Sequence, residues 1–309
     1  MAINIMVARM LGVELFGQYA IIQSTLLTVA FVAQLATGST AAKYVAELRS
    51  SDPIRAGRVV GLCALTTLAT AAIGAVLLAL YADWLARVAM HEASLGFALR
   101  LGAAFIIFNC LNFYQVGALA GLESYPTLAY TGIQGGLVAF SLSIIGTWLY
   151  GLNGAIASLA VAAMMRWIIC QYALERELSR CGIVTTYRGS WKERAILWNF
   201  SIPAALSGFL TMPGTWLANL FLIQQPNGFA QNALYNAALT LKAAAMFLTN
   251  NANSVGMSIL SNQKGLNDSK RYLKLYIANL LICLVMMLVI GCVVIAASPL
   301  IFRLYGPTF

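Results

Sequence analysis

The chain has 309 residues, of which 61% are hydrophobic and 9% charged, and its mean hydropathy is +0.80. A soluble domain carries about 25% charged residues, so a water-soluble globular protein is excluded. The net charge of +9 would suit nucleic acid, but the basic residues gather in turns between apolar runs, which argues against that partner.

A run of about 20 apolar residues spans a bilayer as a helix, and lipid leaves the backbone few other choices. No ten-residue alternation suggests a barrel. The chain opens with a short apolar stub that passes Arg9 and a glycine-punctuated stretch, VARMLGVELFGQYA, at residues 7–20. Eight complete spans are expected after it. The second helix runs from Phe16 to Ala36 and continues as a more polar segment to Arg49. The third covers Gly57–Ala82, the fourth Gly96–Leu119, the fifth Tyr125–Tyr150 and the sixth Gly154–Leu174. The seventh, Ile196–Ile223, is interrupted by Pro203 and Pro213; the eighth covers Ala233–Leu260 and the ninth Leu275–Ser298. The six cysteines (Cys63, Cys110, Cys170, Cys181, Cys283 and Cys292) show no CxxC spacing and mostly lie in apolar runs, where they read as small hydrophobes, so neither disulfides nor a metal site is expected. The first residues lack the features of a signal peptide.

If every run crosses once, fourteen of the nineteen basic residues fall on one side of the bilayer, around the turns after helices two, six and eight. Arg9, Arg87, Arg100 and Arg303 are on the other side. The positive-inside rule makes the basic side cytoplasmic.

The turns SSDPIRAGR and LNDSKRYLK share Asp-x-x-Arg-x-x-basic: Asp52, Arg55 and Arg58 against Asp268, Arg271 and Lys274, an offset of 216 residues. The same offset pairs Gly12 with Gly228, Tyr19 with Tyr235 and Arg87 with Arg303, and lays helices two and three on eight and nine. Internal repeats of this kind are common in transporters. The repeat divides the chain into an N-terminal lobe, residues 1–182, and a partial C-terminal lobe, residues 183–309. It predicts an all-α, polytopic transmembrane bundle of six plus six helices, about nine of them present, with roughly two dozen residues missing before Met1. The alternative is a true start at Met1 with a short re-entrant segment.

Helix two carries a polar or small stripe of Tyr19, Gln23, Ala30, Gln34 and Ala41, and helix eight a matching one of Tyr235, Lys242, Met246, Asn250 and Asn253. These two seams would line a cleft between the lobes. Lys242 is the sharpest signal, because a cation near the midplane costs about 2.5–3.5 kcal/mol unless a partner or wet cavity compensates it. It either engages an anionic group such as a phosphate or, if the helix starts elsewhere, reaches an interface. Gln23, Gln34, Asn250 and Asn253 read equally as cavity lining and as polar glue between helices. Arg100 and Arg166 lie near helix ends, where their side chains reach the interface.

ARMLGVELFGQYAIIQS resembles the stretch leaving helix one and entering helix two in the polysaccharide and O-antigen flippases of the multidrug/oligosaccharidyl-lipid/polysaccharide exporter superfamily. NALYNAALTLKAAA and SPLIFRLYGPTF are similar to that family too. The resemblance implies two lobes, cytoplasmic termini and transfer of an undecaprenyl-pyrophosphate-linked oligosaccharide across the bacterial inner membrane for polysaccharide or lipopolysaccharide synthesis. It also implies a cavity cation on the pyrophosphate, a role that Lys242 best fits, and no cofactor. The alternatives are a drug/cation antiporter of the same superfamily, which would need a mid-span carboxylate, and a truncated fragment without activity. A membrane polysaccharide enzyme fits worse: His91 and Glu92 form a loop pair, and no DxD motif or metal-spaced cluster is present.

Overall fold

The computed structural model describes residues 2–208, 211–243, 246, 276–277 and 279–292. Among these the chain is an all-α transmembrane bundle. Five helical stretches are long and apolar enough to cross a membrane.

Helix α1, Ala2–Ala33, is two helical segments joined at Gly12, whose φ of 77° and ψ of 172° lie outside the helical region. A residue with a Cβ meets a steric penalty at that φ, so glycine permits the break. A second break follows at the end of α1. Leu35 and Ala36 have φ of 45° and 52°, and helix α2 restarts at Thr37 and runs to Leu48. The second helix is therefore not continuous to Arg49 as the apolar pattern implies. Thr37 secures the break: its Oγ1 donates to the Gln34 carbonyl at 2.8 Å and lies 2.7 Å from Thr67 Oγ1. Thr67 belongs to helix α3, Pro53–Trp84, which continues as a π turn over Leu85–Ala89.

The start of α3 follows from local chemistry. Pro53 sits where a backbone N–H would be unpaired anyway, and the Asp52 carboxylate accepts from the Arg55 N–H at 2.9 Å. Helix α4 is Leu95–Gly121. Helix α5, Tyr125–Arg180, has 56 residues, about 84 Å if straight and far longer than a bilayer is thick. It turns back at Tyr150 and Gly151, the latter with φ 55° and ψ −132°. Its arms run antiparallel: a Cβ on Gly154 would lie 1.9 Å from the Gly146 carbonyl oxygen, Gly135 faces the Arg166 stem, and Thr127 bonds Glu177. The expected fifth and sixth spans are these two arms.

A Ser190–Glu193 turn and a π turn, Leu197–Ser201, lead into α6, Ile202–Gly208, and α7, Thr211–Ile223. Pro203 cannot donate to the residue four before it. The ladder widens just ahead of it, with Ile202 N–H bonding Leu197 O. Pro213 lies within the helical stretch described over Thr211–Ile223. Helix α8 begins at Gly228, earlier than the expected Ala233, and is described over residues 228–243. Helix α9 is described over Asn279–Cys292. Asp268, Arg271, Lys274 and Arg303 of the 216-residue repeat lie outside the described residues.

Two apolar clusters hold the bundle. One packs Phe16, Ile22 and Leu26 of α1 against Leu99 and Ile106 of α4 and Ile156 of α5. The other joins Val45, Val59, Cys63, Leu119, Leu174 and Ile183. The second cluster lies at the end that carries Lys43, Arg49, Arg55, Arg58 and the 176–194 cations, here termed the basic end.

Candidate functional site

Helices α7 and α8 meet α1 along a seam of neutral polar side chains. On α8, Asn232, Asn236 and Thr240 follow at i, i+4 and i+8 and so share one face. Asn232 is fully buried, and its Nδ2 donates to the Gly17 carbonyl of α1 at 2.9 Å. That bond needs close backbones, and a Cβ on Gly17 would lie 1.9 Å from the Phe229 carbonyl oxygen. Asn236 Nδ2 donates to Asn219 Oδ1 of α7 at 2.7 Å. Asn219, also fully buried, donates to Ser24 Oγ at 3.3 Å. Trp216 Nε1 donates to Thr25 Oγ1 at 2.9 Å, and Asn4 Nδ2 to Thr240 Oγ1 at 3.1 Å.

Four of these bonds cross between α1 and the α7–α8 pair. Polar contacts between helices in lipid are worth about 0.6–2 kcal/mol each, so the four hold the helices by roughly 2–8 kcal/mol. Every partner is an amide, an indole, a hydroxyl or a carbonyl. Parting them strands no charge in lipid. A seam of this kind is strong enough to hold and weak enough to open.

Toward the basic end the contacts change character. Thr40 and Ser201 hydroxyls lie 2.7 Å apart. Lys43 Nζ sits 4.5 Å from the Phe200 ring centre. Arg55 Nε reaches both Glu193 oxygens, at 3.1 and 3.0 Å, and ties the segment before α6 to the start of α3. A cavity of about 580 Å³ lies at the opposite end of the seam, beside Val13, Glu14, Gln225, Asn227 and Phe229.

The residues predicted to line a cleft do not lie together on the seam. Tyr19 is 1% exposed and stacks on Phe16 with ring centres 6.0 Å apart, as a core residue does. Gln23 is half-buried, beside Ser24 of the seam. Gln34 is buried at the α1–α2 break, and Ala41, beyond that break, belongs to another helix, so the predicted helix-two stripe is not one continuous face. Tyr235 is half-buried and Lys242 exposed; both sit about 100–120° round α8 from the Asn232–Asn236–Thr240 face. Because α8 starts at 228, Lys242 stands about 21 Å along it. Asn250 and Asn253 lie outside the described residues. Sequence reasoning missed Asn219, Asn232, Asn236 and Thr240, although the i, i+4, i+8 spacing was there to read. Among the described residues no group of three His, Cys, Asp or Glu side chains could hold a metal.

The family model for polysaccharide biosynthesis proteins matches residues 1–266. The chain belongs to that family. The polysaccharide biosynthesis family protein described here is also 26% identical over 275 residues to the EPS I polysaccharide export inner membrane protein EpsE of Ralstonia nicotianae. That match takes in 86% of this chain and 60% of the relative, so the chain spans less than two thirds of the relative's length. Its fold is that of a multidrug resistance MATE family transporter of the MOP superfamily, solved in an inward-facing conformation. The TM-score is 0.75 at 14% identity, covering 99% of this chain and 72% of the other.

Proposed function

We propose that this protein belongs to a flippase that moves a lipid-linked oligosaccharide, carried on undecaprenyl pyrophosphate, from the cytoplasmic to the outer leaflet of the bacterial inner membrane. The basic end faces the cytoplasm, residues 1–182 and 183–309 belong to the two moving lobes, and the α1–α7–α8 seam is the closure on the outer side. The seam carries this reading. A transporter must separate two bodies repeatedly, and four uncharged hydrogen bonds permit that within the few kcal/mol that a bound substrate can supply. Family membership and the polysaccharide-export relative support a glycan cargo and a non-enzymatic role.

Lys242 is the cation proposed to meet the pyrophosphate, with Gln23 and Tyr235 near the path. In the full-length gene product, Lys242→Ala should abolish surface polysaccharide, leave membrane insertion intact and cause lipid-linked oligosaccharide to build up. Unchanged export would remove the ligand role. Normal export after deletion of the whole gene would overturn the flippase reading itself.

The antiporter alternative wants a carboxylate in mid-span. Among the described residues, the carboxylates lie at helix ends, in turns, or, for Glu14, beside the Gly12 break. Glu14→Gln is therefore expected to leave export unchanged, and loss of export would favour ion coupling through this group.

A further inference from the structure

We propose that the groove between α3, α4 and the second arm of α5 holds one anionic phospholipid of the surrounding bilayer, with an acyl chain in the groove and its phosphate at Arg58. The groove has a volume of about 580 Å³ and is lined chiefly by Leu65, Leu68, Phe108, Trp167, Gln171 and Tyr187. Leu65 and Leu68 remain 44% and 46% exposed, so the groove opens on the surface of the bundle. Its walls are apolar and aromatic, with the Phe108 and Trp167 rings 5.6 Å apart. Tyr187, next to Thr186 at the basic end, is the aromatic expected at headgroup level.

The polar end of the ligand is set by charge. Arg58 precedes Leu65 by seven residues on α3, so it lies on the same face about 10 Å nearer the basic end. Its Nε is buried without a hydrogen-bond partner. Arg55, one turn away, is already engaged by Glu193, whereas Arg58 has no carboxylate partner among the described residues. The 184–187 segment covers α3 beside it: Thr186 N–H donates to the Gly57 carbonyl at 3.2 Å, which brings Tyr187 to the groove. Exposed Arg176 and Arg188 add positive charge at this end. Glu175, on the second arm of α5, accepts from Gln171 Nε2 at 2.7 Å. An unpaired guanidinium below an apolar slot fits a phosphodiester whose tail runs up the slot.

The proposal does not rest on glycan export, and the two fail separately. The test uses the full-length protein in detergent, with spin-labelled phosphatidylglycerol or phosphatidylcholine as probes. Wild type should retain phosphatidylglycerol preferentially. Arg58→Gln should weaken it by roughly five-fold while phosphatidylcholine is unchanged, Arg58→Lys should retain most of the preference, and Leu68→Trp, which fills the groove, should release the lipid. Equal retention of both lipids by wild type, or no effect of Arg58→Gln in a monodisperse preparation, would overturn the assignment. So would displacement of the bound phosphatidylglycerol by a short-chain polyprenyl pyrophosphate at equimolar concentration, because the site would then belong to the cargo.

Discussion

Asn232 shows how much one side chain carries. It is fully buried on α8, and its amide nitrogen serves the backbone of another helix, the Gly17 carbonyl at 2.9 Å. Replacing it with leucine removes that donor and crowds the place where Gly17 lies against Phe229. Asn232→Leu should lower the thermal midpoint in detergent by the equivalent of about 1–2 kcal/mol. Gly17→Leu should be worse, since its Cβ meets backbone rather than a side chain that can move. Tyr235→Phe, off the seam face, should change neither. At this scale the sequence was partly legible. Asn219, Asn232 and Asn236 stand out as amides in apolar surroundings, yet Lys242 drew attention because a buried charge costs more than a buried amide. Which stripe of α8 meets α1 depends on how the helix is rotated in the bundle, and one helix's pattern does not contain that rotation.

Among the elements, the α1–α2 break stands apart. Two successive non-glycine residues, Leu35 and Ala36, take φ values of 45° and 52°, a conformation that costs an L-residue about 1 kcal/mol or more. Irregular backbone at membrane depth is tolerated where protein covers it. Thr37 does so here, through Gln34 O and Thr67. Ala36→Gly should relieve the strain and raise the melting midpoint by the equivalent of up to about 1 kcal/mol, whereas Ala36→Val should lower it; a fall with glycine would show that the break is not strained. Helix existence was legible from the apolar runs, and the α3 start from Asp52 and Pro53. This break was not, because no proline or glycine stands at 34–36. Packing of Thr37 on Thr67 imposes it from outside the segment. The turn of α5 was legible, since the apolar pattern ends one span at Tyr150 and starts the next at Gly154, on either side of the break at Tyr150 and Gly151.

For the whole molecule the question is whether α1 and the α7–α8 pair separate during work. Helix α7 meets α1 through Ser24 and Asn219, and the π turn before α6 meets α2 through Thr40 and Ser201. If the outer seam opens in each cycle, a covalent tie across it must stop the cycle. The paired changes Ser24→Cys and Asn219→Cys, placed in a full-length protein freed of its native cysteines, put two thiols where a 3.3 Å hydrogen bond now lies. Oxidation should abolish polysaccharide export by at least ten-fold, and reduction should restore it. Each single cysteine should be insensitive to oxidant, which separates tying from damage. A neutral seam predicts one more result for the untied protein: raising ionic strength should leave the parting of these helices unaffected, because no ion pair spans them among the described residues. Full export by the oxidised double mutant would mean that these helices move as one body, and that any opening occurs elsewhere in the bundle.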